Sequence, residues 1–130
     1  MQLPLFAKKI SRKLSSRQKS GNAAERQACD YLKAQGLVLL DNNFATRAGE
    51  VDLIMRDGET LVFIEVRYRK NKDFGGAAAS VTPQKQQRII KASLAYQQQH
   101  APQSSMRFDV VAIEGDNSNL NWIKSAFDGY

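Results

Sequence analysis

The chain of 130 residues holds one cysteine, Cys29, and one histidine, His100. A lone cysteine excludes an internal disulfide and favours a reducing compartment. His100 ends a helical stretch amid Gln97, Gln98 and Gln99, and neither a histidine-based triad nor a zinc site can be assembled around it. Long apolar runs are also missing. No stretch approaches the length that spans a membrane. Leu3, Leu5 and Phe6 precede the charges and form no adequate apolar run, which argues against a secretory signal. The expected setting is the cytoplasm, with a transit peptide as the alternative reading of the basic, serine-containing start.

Acidic residues are absent from residues 1–20, which carry Lys8, Lys9, Arg12, Lys13, Arg17 and Lys19. All 13 acids lie beyond, balanced by 13 of the 19 basic residues, so the net charge of +6 resides on this arm. A basic, flexible arm on a balanced domain reads either as a nucleic-acid contact or as an inert tail. The remaining length, 21–130, fits one domain able to bury its own core.

Hydrophobic periodicity gives the order α-β-β-β-α-β-β. Ala24, Ala28, Tyr31, Leu32 and Gln35 form one stripe of a helix over 21–35, ended by Gly36. Strands follow at 37–44, 49–55 and 60–69, the last two separated by Asp57-Gly58, a hairpin signal. A loop over 71–81 contains Gly75-Gly76, which match no phosphate-loop motif. Thr82-Pro83 then caps and opens a helix running to about His100. Its inner face is Ile89, Ile90, Ser93 and Leu94. Strands at 107–114 and 121–127 close the chain. Cys29, Phe108, Trp122 and Phe127 read as core, and Asp109 as a structural acid paired with Arg107 or a helix end.

The hairpin carries the chemistry. Glu50 and Asp52 share one face of the second strand, and Glu65 and Arg67 one face of the third, because residues two apart point the same way. With Asp57-Gly58 as the two central turn residues, Arg56 pairs with Glu59, Asp52 lies opposite Phe63, and Glu50 lies opposite Glu65. All four polar side chains then project from one side, with Asp52 and Glu65 as diagonal neighbours. Val51, Leu53, Ile64 and Val66 make the other, apolar face. Like charges facing each other destabilise a sheet, and a hard divalent cation would offset them. The alternative is an exposed polar face with Arg67 paired to Glu65. Glu25 projects from the first helix at the edge of its buried stripe, within reach of the sheet. Lys85, Arg88 and Lys91 lie on a face of the second helix away from Ile89, Ile90 and Leu94. That face either lines a phosphate backbone or keeps the helix soluble.

Glu25, Gly49-Glu50-Val51-Asp52-Leu53-Ile54, Val62-Phe63-Ile64-Glu65-Val66-Arg67, Ser80-Val81-Thr82-Pro83-Gln84-Lys85-Gln86 and Arg107-Phe108-Asp109-Val110-Val111-Ala112 together resemble the YraN family. That family is grouped with PD-(D/E)XK nucleases, near archaeal Holliday junction resolvases. The resemblance covers residues 20–128. It implies a restriction-endonuclease-like α/β fold with a mixed central sheet flanked by helices. It also implies a nuclease site in which Asp52 and Glu65 bind Mg²⁺ or Mn²⁺, Glu25 matches the helix acid of the resolvases, and Glu50 is an added ligand. Arg67 stands where the superfamily usually has lysine, and arginine cannot act as a base. Three functions follow: a metal-dependent DNA endonuclease, a silent nucleic-acid-binding module, or a basic scaffold for protein partners. DNA is preferred to RNA as the partner, no membrane is involved, and a homodimer is compatible with each.

Deleting residues 1–20 is expected to flatten the salt dependence of nucleic-acid binding, by roughly 0.9 in log–log slope for each phosphate that the arm neutralises. Fluorescence anisotropy across a salt series measures it, and an unchanged slope places the arm off the nucleic acid.

Overall fold

The computed structural model describes residues 16–70, 77–115 and 119–129. Lys8, Lys9, Arg12, Lys13 and the Gly75-Gly76 pair lie outside these residues, as do the side chains of Arg17 and Lys19. The elements follow the expected order: α1 (Ser16–Ala34), β1 (Val38–Ala45), β2 (Glu50–Asp57), β3 (Thr60–Arg69), α2 (Pro83–His100), β4 (Met106–Glu114) and β5 (Asn119–Phe127). A single 3-10 turn, Ala78–Ser80, precedes α2. Helix α1 starts five residues before the expected boundary. Its first turn is polar and Gly21 is a poor helix former, so the apolar stripe that betrays a helix begins only at Ala24.

The strands form one sheet in the order β1-β2-β3-β4-β5. Neighbours are antiparallel except β3 and β4, which run parallel. A parallel pair requires a crossover, and α2 supplies it. Helix α1 covers one face, setting Ala24, Ala28, Cys29 and Leu32 on Leu53, Met55, Val62, Ile64, Val111 and Ile113. Helix α2 covers the other, with Ile89, Ile90 and Tyr96 against Ile54, Phe63, Phe108 and Val110. Coverage of both faces explains why β3 opens on an unbroken apolar run, Leu61 to Ile64, rather than an alternating one. These are the layers and topology of a restriction-endonuclease-like fold.

Two helical faces differ from expectation. On α2, Ile89, Ser93 and Tyr96 set the buried stripe, and Leu94 is left 41% exposed one position off it. On α1, the i, i+4, i+8 series Ala24, Ala28, Leu32 is buried, while Tyr31 and Gln35 are exposed. Tyr31 instead meets the Trp122 ring edge-on at 6.3 Å. Thr82 caps α2 as expected, accepting the Lys85 N–H at 3.2 Å, with Pro83 in the first helical position.

The β2–β3 register also differs. Asp57 pairs with Thr60, Arg56 with Leu61 and Ile54 with Phe63, so Gly58 and Glu59 are the central turn residues. Gly58 has φ +61°, as the first central position of a type II′ turn demands. Arg56 therefore does not pair with Glu59, nor Asp52 with Phe63, nor Glu50 with Glu65. The shift is two residues, one full period of the strand, so by itself it moves no side chain of the paired segment to the other face.

Asp109, wholly buried, is the structural acid of β4. It accepts hydrogen bonds from Arg107 Nη2 (2.9 Å), Trp122 Nε1 (2.9 Å) and the Ser125 backbone N–H (3.0 Å). Arg107 also reaches Asp57 Oδ2 at 3.0 Å, tying β4 to the far end of β2. No helix among the described residues is long and apolar enough to cross a membrane.

The β1–β2 connection is pressed onto α2. Thr46 organises it, its hydroxyl oxygen accepting the N–H groups of Ala48 and Gly49. A Cβ at Gly49 would overlap the backbone carbonyl of Arg88. That close approach seats α2 above the start of β2. Gly49→Ala is expected to cost about 1–3 kcal/mol, the usual range for overpacking. Urea unfolding followed by circular dichroism measures the loss.

Candidate active site

The sheet forks between β2 and β3. Their pairing ends at Leu53 and Ile64, yet β2 continues alongside β1 to the Ala45–Glu50 pair, and β3 continues alongside β4 to Arg69. Asp52 occupies the fork. Its Oδ2 accepts the Val66 N–H at 2.8 Å, so a carboxylate satisfies a strand donor that the ladder has released. Val51 packs on the α2 side together with Ile54, rather than sharing the face of Leu53 as expected. The alternation of β2 therefore breaks at Asp52. Across the β1–β2 pair stands Asn43, between the Asn42–Leu53 and Phe44–Val51 pairs, with φ +51°. Asparagine is among the few residues that adopt this left-handed conformation readily.

Glu65 lies across the fork, with 2% of its side chain exposed. Its Oε2 faces two cations: Arg67 Nη1 at 3.3 Å and Lys85 Nζ at 3.6 Å. Its Oε1 is buried without a hydrogen-bond partner among the described residues. Arg67 is fixed from a second side, since its Nε donates to Ser80 Oγ at 2.8 Å. Ser80 in turn donates to the Ala77 carbonyl, and the Ala77 N–H donates to Glu114 Oε2 at 2.8 Å. Glu50, more than half exposed, sits at the rim, with its Oε1 3.8 Å from Lys85 Nζ.

Lys85 thus turns toward the acids rather than away from the sheet, because the first turn of α2 lies over the fork. Arg88 and Lys91, further along α2, are exposed. The structure brings Asp52, Glu65, Arg67, Lys85 and Glu25 together, and Glu50 to their edge. Sequence reasoning missed Ser80 and Asn43. Ser80 reads as an ordinary turn residue before a helix cap and carries no signal. Asn43 had one: Asp41-Asn42-Asn43 places three strand-averse residues within a strand.

The electrostatics follow from burial. Glu65 is raised from 4.5 to about 8, first by burial and then by the charge of Asp52, against the pull of Lys85 and Arg67. Asp52 is also raised by burial, opposed by the Val66 N–H. Glu25 is pushed up to about 7 by burial and then by Asp52, with the Asn43 side chain opposing. Asp52 on β2 thus raises both Glu25 on α1 and Glu65 on β3. Burial and mutual repulsion disfavour two full charges on the Asp52–Glu65 pair. Among the described residues, no three His, Cys, Asp or Glu side chains converge to cage a metal by themselves. Asp52 and Glu65 are the two acids that could share an ion.

The fold and the fork define a restriction-endonuclease-like α/β domain with a buried carboxylate centre. The family model of Uncharacterised protein family UPF0102 matches residues 24–113, and the chain belongs to that family, the YraN family. It is 48% identical over 128 residues to a UPF0102 protein of Herminiimonas arsenicoxydans, covering 98% of this chain and 99% of that one. A UPF0102 protein of Legionella pneumophila strain Corby is 49% identical over 113 residues, 85% of this chain and 96% of its own. One from Pseudomonas savastanoi is 49% identical over 119 residues, 88% of this chain and 97% of its own.

The raised acids make stability depend on pH. Below about pH 4.5 the folded and unfolded chains both hold the Glu65 proton, and the site imposes no ionisation penalty. As pH rises toward 8 the unfolded chain ionises freely while the folded chain resists, so stability falls, and the whole penalty is present above 8. Glu65→Gln is therefore expected to gain stability relative to the parent between pH 5 and pH 8.5. Its melting temperature should rise against the parent's by at least about 5 °C over that interval. Thermal melts at the two pH values measure it, and a constant difference would contradict the raised acid.

Proposed function

We propose that this protein is a metal-dependent endonuclease of the PD-(D/E)XK type, hydrolysing phosphodiesters of DNA in the cytoplasm. The observation that carries the reading is the orphaned oxygen of Glu65. Its Oε1 is buried beside the Asp52 carboxyl with no donor among the described residues, an arrangement that costs energy unless a proton held with Asp52 or a cation is the partner. Both donors are hard carboxylate oxygens. Mg²⁺ typically takes one or two carboxylates and fills its remaining positions with water and phosphate. The residues present fit such an ion with two protein ligands, and Glu25 and Glu50 stand nearby. When bound, a divalent ion would lower the pKa of a water and neutralise charge on the phosphate.

The chain's own residues would act around it. Asp52 and Glu65 would hold the ion. Glu25, ionised in part near neutral pH, would orient water from the α1 side. Arg67, clamped by Ser80, would hold a non-bridging phosphate oxygen, a role that needs charge and a fixed fork rather than a titrating base. Exposed Arg88 and Lys91 on α2 and the basic residues before α1 would contact the flanking backbone without reading its sequence. The buried, single Cys29 supports a reducing compartment.

Asp52→Asn and Glu65→Gln are each expected to abolish Mg²⁺- or Mn²⁺-dependent cleavage of a panel of linear, nicked, flapped and four-way DNAs. Metal-free binding to the same DNAs should survive or strengthen, because a negative charge beside the phosphate is lost. Gel assays of cleavage and binding test both. Wild-type protein that binds these DNAs but cleaves none would reduce the protein to a binding module.

A further inference from the structure

The first turn of α2 breaks a local rule. Lys85 is its third residue, as its N–H bond to the Thr82 hydroxyl oxygen shows. A helix N-terminus favours acids, and Glu or Gln at this position would complete the capping box. The turn carries no acid, and a lysine occupies the position instead. Its ammonium is held 3.6 Å from Glu65 Oε2 and 3.8 Å from Glu50 Oε1. A cation placed against the helix dipole, and offset by the carboxylates of Glu65 and Glu50, serves the site rather than the helix.

Arg67 and Lys85 also differ in freedom. Arg67 has Nε committed to Ser80 and Nη1 to Glu65, within one rigid plane. Lys85 approaches the same Oε2 from the first turn of α2, on a flexible stem with three rotatable donors. It can turn one donor to a small ligand while keeping its ion pairs.

We propose that Lys85 is a catalytic residue of this site, its ammonium holding the attacking water against the scissile phosphodiester while Arg67 holds a phosphate oxygen. The assignment rests on the endonuclease reading. It puts the compact cation usually found two residues after the second acid onto the facing helix. In the step itself, the water oxygen bonds to phosphorus as the bond from phosphorus to the leaving sugar oxygen breaks. One water proton ends on that leaving oxygen. The other ends on the new phosphate monoester, which sheds it to solvent. Lys85 keeps its own protons throughout.

The test compares wild type, Lys85→Ala, Lys85→Met and the double variant Lys85→Met/Arg67→Lys. Cleavage of the DNA panel with Mn²⁺ is one readout, and Mn²⁺ binding by calorimetry without DNA is the other. Lys85→Met keeps the aliphatic stem and separates the effect of charge from that of packing. Both single variants are expected to cleave about 100-fold more slowly or worse. Both should bind Mn²⁺ more tightly, because no ammonium competes for Glu65. The double variant should recover part of the lost rate. Cleavage by either single variant at the wild-type rate would overturn the assignment and leave the endonuclease reading standing. Mn²⁺ binding no tighter than wild type would overturn it too, since Lys85 would not then share the carboxylates. A wild type that cleaves nothing would overturn the endonuclease reading and this assignment with it.

Discussion

Two acids buried side by side in a gap between strands govern the arrangement around them. Asp52 and Glu65 cannot both ionise cheaply in that position, and each neighbouring feature answers the problem in its own way. The Val66 N–H meets Asp52. Arg67 and Lys85 converge on a single oxygen of Glu65. The strands themselves part, which frees the Val66 donor for the carboxylate. Removing one partner from such a cluster leaves an uncompensated buried charge, which is why buried polar networks behave as units.

The division of labour between the two polar clusters is clear from their partners. Asp109 accepts from Arg107, Trp122 and Ser125 and has no unmet oxygen. Glu65 is as deeply buried and has one without a donor among the described residues. The first is a fastener between β4 and β5. The second is a site with unused bonding capacity. Burial alone does not separate them; satisfaction of the lone pairs does.

Much of this could be read from the residues. Alternating and helical periodicity yields all seven elements in order, and period-two spacing puts Glu50, Asp52, Glu65 and Arg67 into one neighbourhood. The hairpin turn is displaced by two positions because Gly58 takes the first central place of the turn, and the face assignment survives from Leu53 to Asp57 because the displacement is even, while Val51 changes face beyond the break at Asp52. Three things were not legible. Lys85 lies on the polar side of its helix by angle alone, and only the seating of α2 on Gly49 brings its first turn over the fork. Ser80 acts through Arg67 across the crossover, a pairing that sequence spacing does not encode. The fork needs a local break in the strand at Asn43 and Asp52, whereas pattern reasoning assumes an unbroken ladder.

The crossover that makes β3 and β4 parallel also sets an order of events during synthesis. Glu25, Glu50, Asp52 and Glu65 all precede it in the chain, in the stretch from α1 through β3, while Ser80 and Lys85 lie within it. The ribosome therefore delivers the repelling acids before the lysine that offsets them. Local pairing of β1, β2 and β3 is quick, but the parallel β4 must close a long loop before its pairing stabilises the chain. Until then the meander carries its like charges without the Lys85 ammonium. Docking of α2 thus completes the charge balance of the first half as well as its core, so the two halves of the chain depend on each other to finish folding.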